Sequence, residues 1–265
     1  MPKIIDLTPM LREGMEMNHP YHPRGPLIWL NQRHEFIQYF YQDLWGKKGG
    51  PPLFDGLPKD CAKGGTGHGW CSEQVLIHTH LGAHIDAPLH YDPDTNLDVT
   101  SIPLEKCYGK AIMLDLRHLC KEPYAITIED LEKAEKKVND KIQENDIVII
   151  HTGWAASWGY GSNADHWKYG SEPGPGLHKD TPKWFIDRKV KLVGIDNPNL
   201  DYDQTASCHV NFLYRQKIGK DPIYIVENLV NLELITSHRF IYIGFPLPIK
   251  DGSGSPIRAV AIVDD

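Results

Sequence analysis

The chain has 265 residues, 41% hydrophobic and 24% charged, enough apolar mass to bury the core of one large domain and too much for a disordered chain. Its net charge of -7 provides no broad basic face for phosphates or anionic lipid, so neither nucleic acid nor a membrane is expected as a partner. The five cysteines are odd in number and form no CxxC pair, which speaks against a disulfide framework or zinc ribbon and fits a reducing, cytoplasmic setting.

In chain order, residues 3–8 (KIIDLT) and 26–30 (PLIWL) read as short strands. The opening segment lacks the continuous apolar stretch of a signal peptide, and no run of about 18 apolar residues follows, so no membrane anchor is expected. Residues 46–69 are rich in Gly, Pro and Lys, a composition that suits neither helix nor central strand. This stretch reads as a long surface loop, placed to serve as a lid.

Residues 111–116 (AIMLDL) read as a strand and residues 127–138 (TIEDLEKAEKKV) as a helix, with Thr127 at the N-cap and Asp130 completing an approximate capping box. A buried strand follows at 146–151 (DIVIIH), then an insertion rich in Gly, Trp and Tyr at 153–176. Thr181 and Pro182 open a second helix, Thr as cap and Pro at the first helical position, running to about residue 188. Further strands are expected at 191–196, 222–226, 240–245 and 257–263, and GSGS at 252–255 reads as a turn. Helices interposed between strands give a single domain of class α/β or α+β, with more strand than helix.

Residues 78–90, HTHLGAHIDAPLH, hold four of the 14 histidines. From 80 to 90 the even positions are His80, Gly82, His84, Asp86, Pro88 and His90, and the odd ones Leu81, Ala83, Ile85, Ala87 and Leu89. This alternation buries one face and arms the other with nitrogen and oxygen donors. On a straight strand His80 and His84 would lie ~13 Å apart at ~3.3 Å per residue, too far for one cation with bonds of ~2 Å. A bend or bulge at Gly82, which tolerates positive φ, would fold His80 back toward His84. His80, His84 and Asp86 then form a two-nitrogen, one-oxygen set for Zn, Mn or Fe that leaves positions open for water and substrate. His78 lies outside the spaced pattern and reads as a supporting or structural residue.

The stretch His80-Leu-Gly-Ala-His-Ile-Asp-Ala-Pro-Leu-His90 resembles the HxGxHxDxPxH signature of the cyclase-like metal-dependent hydrolases, which include bacterial kynurenine formamidases and isatin hydrolases. The opening IIDLT, PGL at 175–177, KLVGID at 191–196 and IVENLVNL at 225–232 look like the same family in the same order. The resemblance implies a swivelling β/β/α-type fold of mixed sheets with a few flanking helices. It also implies a homodimer or homotetramer and hydrolysis of a C–N amide bond in a small-molecule substrate, with one or two divalent ions, Zn2+ or Mn2+, per subunit.

Carried over by position, His80, His84 and Asp86 are the metal ligands, with Asp86 able to bridge to a second ion. His90 is the proton-transfer histidine, and His209 and Glu227 complete a second metal site or the catalytic shell. Read without the resemblance, Glu227 sits at the end of an apolar strand, where a charge can face a cavity, and His209 has no local pattern. In the implied mechanism, metal-activated water attacks the amide while His90, or Glu227, relays its proton to the leaving nitrogen. The 18-residue spacing from His209 to Glu227 and the two long loops leave the substrate open. Trp29, Trp45, Trp70, Trp154, Trp158 and Trp167 fall in or beside expected loops, where they would serve packing or contacts between subunits, or form a shelf for a flat, aryl substrate.

Two other readings stay open. His84-Ile-Asp86 with His209 reproduces the HxD…H triad of non-haem Fe(II) oxygenases, though such a fold, like the cupin suggested by His78-Thr-His80, calls for a jelly roll. A non-catalytic, metal-stabilised binding module is the third reading, though structural zinc sites usually close with four protein ligands.

Overall fold

The computed structural model describes residues 2–11, 27–32, 72–120, 123–157, 174–202, 206–215 and 219–264. In chain order the strands are β1 (Lys3–Asp6), β2 (Leu27–Gln32), β3 (Ser72–Leu76), β4 (His84–Asp86), β5 (Tyr108–Asp115), β6 (Ala125–Ile126), β7 (Ile147–His151), β8 (Gly176–Leu177), β9 (Leu192–Ile195), β10 (Tyr224–Glu227), β11 (Arg239–Ile243), β12 (Gly254–Pro256) and β13 (Val260–Val263). The α-helices are α1 (Ile128–Lys137), α2 (Trp154–Ser157), α3 (Pro182–Asp187) and α4 (Ser207–Leu213).

The chain divides into two units. In the smaller, β2 and β3 pair antiparallel, with a register irregularity between Leu30 and Gln32. The expected lid loop at 46–69 lies outside the described residues. In the larger, nine strands form one sheet in the order β1-β13-β11-β5-β7-β9-β10-β4-β12, and β6 pairs with β8 separately.

The centre of the large sheet, β5-β7-β9-β10, is parallel. Parallel neighbours need crossover connections, and a helix lies on each of them: α1 between β5 and β7, α3 between β7 and β9, α4 between β9 and β10. Strands covered on both faces become continuous apolar runs, and every residue of β7 (IVIIH) is buried. Alternate residues serve two cores. Ile112, Leu114, Val148, Ile150, Val193 and Ile225 pack with Leu131, Phe185 and Phe212 of the helices, while Ala111, Ile149 and Val226 pack with Ile85, Tyr242 and Ala261 on the other face. The mixed α/β architecture is the expected one. Its parallel centre differs from the jelly roll that the oxygenase and cupin readings require, and this weakens both.

Local signals behaved unevenly. The capping box on α1 forms: Thr127 Oγ1 accepts from Asp130 N at 3.3 Å, and Asp130 Oδ2 accepts from Thr127 N at 3.0 Å. Pro182 does open α3, but Thr181 does not cap it through its side chain. Its hydroxyl instead donates to the His178 carbonyl at 2.8 Å. The GSGS turn is partly strand, since Gly254–Pro256 forms β12 at the sheet edge against β4. A helix, α4, carries His209, where the sequence shows no helical pattern. The insertion at 153–176 contains α2 and begins β8, and its residues 158–173 lie outside the described residues. Trp154 on α2 is 7% exposed and belongs to the core. Among the described residues, no helix is long and apolar enough to cross a membrane.

Candidate metal centre

The site is built where β4, short and wholly buried, lies between β10 and β12. Its entry is the bend expected at Gly82, which adopts φ +65°. A Cβ at Gly82 would stand 2.9 Å from Leu11 Cδ2, so the turn requires glycine for space as well as for backbone angle. Beyond the turn His84 and Asp86 point to the helix-covered face of the sheet, while Ile85 enters the opposite core. Pro88 opens a 3-10 turn that carries His90.

The turn brings His80 back as the spacing argument required. Its Nδ1 lies 2.8 Å from Asp86 Oδ1, and its ring centroid is 5.0 Å from that of His84. Glu227 is the register partner of His84 across β4 and β10. His209 comes from α4, just after Ala206, which adopts left-handed φ 50°. Such strain is uncommon for a residue with a Cβ, and here it precedes a helix whose first N–H groups meet a single carboxylate. Asp201 Oδ1 accepts from Cys208 N at 2.6 Å, Asp201 Oδ2 accepts from His209 N at 3.2 Å, and Asp201 Oδ2 also lies 2.6 Å from His209 Nδ1.

Four groups thus meet in a ring. His84 Nε2 lies 3.4 Å from Asp86 Oδ1 and 3.4 Å from Glu227 Oε2, and His209 Nε2 lies 3.4 Å from Asp86 Oδ2 and 3.4 Å from Glu227 Oε1. Charge-assisted hydrogen bonds close to ~2.7–2.9 Å, so these contacts are too long for good ones. Their length is that of neighbouring ligand atoms around an ion with bonds of ~2.0–2.1 Å, with each carboxylate meeting the two imidazoles through a different oxygen. Asp86 Oδ2 is buried with no hydrogen-bond partner, a cost that nature seldom leaves unmet. Two donor sets, His80–His84–Asp86 and Asp86–His90–His209, each have their ligand atoms within 4.8 Å of one another and share Asp86. The donors fit a divalent cation.

The nitrogens facing away are also held. His84 Nδ1 contacts the Gly82 carbonyl at 2.9 Å, which fixes Nε2 as the inward lone pair. Asp201 does the same for His209. Glu227 Oε1 accepts from Leu200 N at 2.7 Å. His78 Nδ1 accepts from His80 N at 3.1 Å, in keeping with its supporting role. The rings of His80 and His90 lie 4.1 Å apart, and Tyr91 covers His209 at 4.8 Å.

Burial by itself would raise the Asp86 carboxyl, but the charges of the neighbouring His90 and His80, the His209 imidazole 3.4 Å away and the hydrogen bond from His80 hold it well below its usual range. Glu227 is likewise lowered: burial opposes, while His209 and His84 prevail. Against the same desolvation, His84 is raised by Glu227 and Asp86, and His209 is raised well above its ordinary value by Asp201, Asp86 and Glu227. The two buried carboxylates therefore demand positive charge between them, from protons on the imidazoles or from a cation. His90 differs, because desolvation pushes it down to about 4 and leaves it neutral at pH 7.

The six residues expected to bind metal or carry protons, His80, His84, Asp86, His90, His209 and Glu227, all lie in this cluster; Trp45, Trp70, Trp158 and Trp167 lie outside the described residues. Sequence reasoning missed Asp201, which holds His209, and Tyr91. Asp201 stands five residues before Ala206, the N-cap of α4, outside the position where a capping carboxylate is read from sequence, so nothing local points to it.

The cyclase family model matches residues 5–202. Kynurenine formamidase of Erythrobacter litoralis is 29% identical over 189 residues, covering 71% of this chain and 74% of the relative. The kynurenine formamidase of Bacillus cereus strain ATCC 10987 is 27% identical over 193 residues, covering 71% and 78%. Among solved structures, isatin hydrolase A from Labrenzia aggregata, bound to benzyl benzoate, aligns with a TM-score of 0.71 at 21% identity over 100% of this chain and 94% of that one. The isatin hydrolase A of Ralstonia solanacearum gives 0.71 at 21% identity over 99% and 92%. With the family model matching well over half of its length, the chain belongs to the cyclase family.

Proposed function

We propose that this protein is a metal-dependent hydrolase that cleaves a C–N amide bond of the formamide, lactam or cyclic imide type in a small substrate. The observation that carries the reading is the buried Asp86 Oδ2 without a hydrogen-bond partner, in a cluster where His84 and His209 each stand 3.4 Å from both Asp86 and Glu227. The kynurenine formamidase relatives support the bond type.

His80, His84 and Asp86 would hold one ion, and Asp86, His209 and Glu227 would complete that site or hold a second; nitrogen and carboxylate donors suit zinc or manganese. When bound, such an ion polarises a carbonyl and lowers the pKa of water toward ~7. The rest of the work falls to the protein. His90, neutral at pH 7 and 4.1 Å ring to ring from His80, accepts the proton that water loses as its oxygen bonds to the carbonyl carbon. It then returns that proton to the nitrogen as the C–N bond breaks. Asp201 keeps the His209 imidazole turned inward, and Leu200 N–H holds the Glu227 carboxylate in place. Tyr91, edge-on to His90 and tilted against His209, limits the room beside them.

The test is metal content measured beside a hydrolysis screen with N-formylkynurenine, isatin and cyclic imides. Turnover that is abolished by chelation and restored by zinc or manganese is the expected outcome. A stoichiometric metal with no hydrolysis across the panel would favour the binding module instead. The same reading carries a homodimer or homotetramer, which light scattering on the purified chain tests.

A further inference from the structure

Resting on that metal-centre reading, we infer that Ser253 is a positioning residue for His80, and that the segment Gly252-Ser253-Gly254 forms the seat of its imidazole. Three of the four imidazoles around Asp86, those of His80, His84 and His209, have an oxygen behind them. For His84 it is the Gly82 carbonyl at 2.9 Å, for His209 the Asp201 carboxylate at 2.6 Å, and for His80 the Ser253 hydroxyl, 3.0 Å from Nε2. A carbonyl and a carboxylate only accept, so they fix one tautomer. A hydroxyl both donates and accepts, so what it does follows from the other side of the ring. There Nδ1 lies 2.8 Å from Asp86 Oδ1, the length of a hydrogen bond that Nδ1–H donates, and a cation joining His80 to Asp86 would displace that proton and use the Nδ1 lone pair. The ring proton then sits on Nε2, and Ser253 Oγ accepts it.

The neighbouring residues set the plane of the ring. Gly254 is the register partner of Asp86 on β12. A Cβ there would come 2.7 Å from His80 Nε2 and 2.8 Å from His80 Nδ1, so the imidazole lies against bare backbone. The His90 ring lies 4.1 Å away. Backbone and His90 therefore fix the plane of the ring, and Ser253 fixes its rotation within that plane. The seat is itself anchored: Ser253 O accepts from Ala87 N at 2.9 Å, Gly252 O accepts from Val99 N at 3.0 Å, and Asp98 Oδ2 accepts from Asp251 N at 2.7 Å. A glycine-serine stretch that read as a turn is thus the backing of the most exposed ligand of its set, the His80 side chain being 13% exposed.

The experiment compares the full chain, stripped by chelation, with Ser253→Ala and Ser253→Thr in a competition titration of Zn2+ against a chromophoric chelator. Loss of a partner behind a metal-bound histidine costs ~10–100-fold in metal affinity. That loss is expected for Ser253→Ala, with recovery in Ser253→Thr and an unchanged melting temperature for the metal-free Ser253→Ala protein. In the zinc-loaded parent, long-range 1H–15N spectra should show His80 protonated at Nε2. Parental zinc affinity in Ser253→Ala, or a proton on His80 Nδ1 in the zinc-loaded parent, overturns the assignment while leaving the hydrolase reading intact. A parent chain that takes up no zinc or manganese overturns both.

Discussion

His84 and Glu227 are register partners on the antiparallel strands β4 and β10, and their side chains meet with His84 Nε2 3.4 Å from Glu227 Oε2. One sheet register thus joins the histidine-rich motif to a glutamate far along the chain. Because side chains alternate between faces, a slip of one residue would turn His84 and Asp86 into the opposite core. The centre is as well defined as the pairing of β4, held on one side by β10 and on the other by β12.

Gly82→Ala tests the bend. An alanine held at φ +65° costs about 1–2 kcal/mol, and its Cβ would press on Leu11 Cδ2. We expect a lower urea midpoint and, because the Gly82 carbonyl orients His84, weaker metal binding. An alanine variant with parental midpoint and metal affinity would show that the bend needs no glycine.

Asp86→Ala and His90→Ala separate holding the ion from moving the proton. The first removes the group shared by both donor sets and should abolish metal content and activity together. The second should keep the metal and lose ~10²-fold or more in turnover. Turnover at the parent rate by His90→Ala would mean that another group carries the proton.

Asp201→Asn replaces the carboxylate that orients His209 with a neutral group of the same shape. A ~10–100-fold loss in metal affinity is expected, with a parallel loss of activity and unchanged far-ultraviolet circular dichroism. Because Asp201 also accepts from Cys208 N and His209 N, a collapse of helical signal would instead show that its main duty is to start α4.

His151 and Asp196, which belong to neither donor set, predict a pH dependence of stability. Burial holds His151 down to about 4, against an ordinary value of 6.5. Its stabilising contribution is therefore complete above pH 6.5 and is lost as pH falls toward 4. Burial raises Asp196 to about 6, so its contribution runs the opposite way, present at low pH and lost as pH rises through 6. At about 1.4 kcal/mol per tenfold change in proton affinity, His151 accounts for on the order of 3 kcal/mol. In chelator, the stability difference between parent and His151→Asn, measured by denaturant titration, should shift against the parent by about that amount from pH 7 to pH 4. A difference that stays constant across that range would show that His151 is not held neutral.

Several features were legible in the sequence because their causes are local. Strict alternation from residue 80 to 90 required two faces. The distance between His80 and His84 required a bend, and Gly82 was the residue able to make it; the structure has that bend at φ +65°. Thr127 with Asp130 specified a helix start by short-range hydrogen bonds alone. Helical segments between apolar runs specified the α/β class, because parallel strands need crossovers.

Other features were decided only by the tertiary structure. His209 shows no local signal because α4 starts after a left-handed Ala206 and is capped by the side chain of Asp201. Glu227 reaches the site through the β4–β10 register, and Ser253 through the β12 edge, and neither pairing leaves a mark in the sequence nearby. Spacing along the chain supplied the donors on one strand. The groups that oppose and orient them come from distant segments, and their positions follow from how sheet and helices pack.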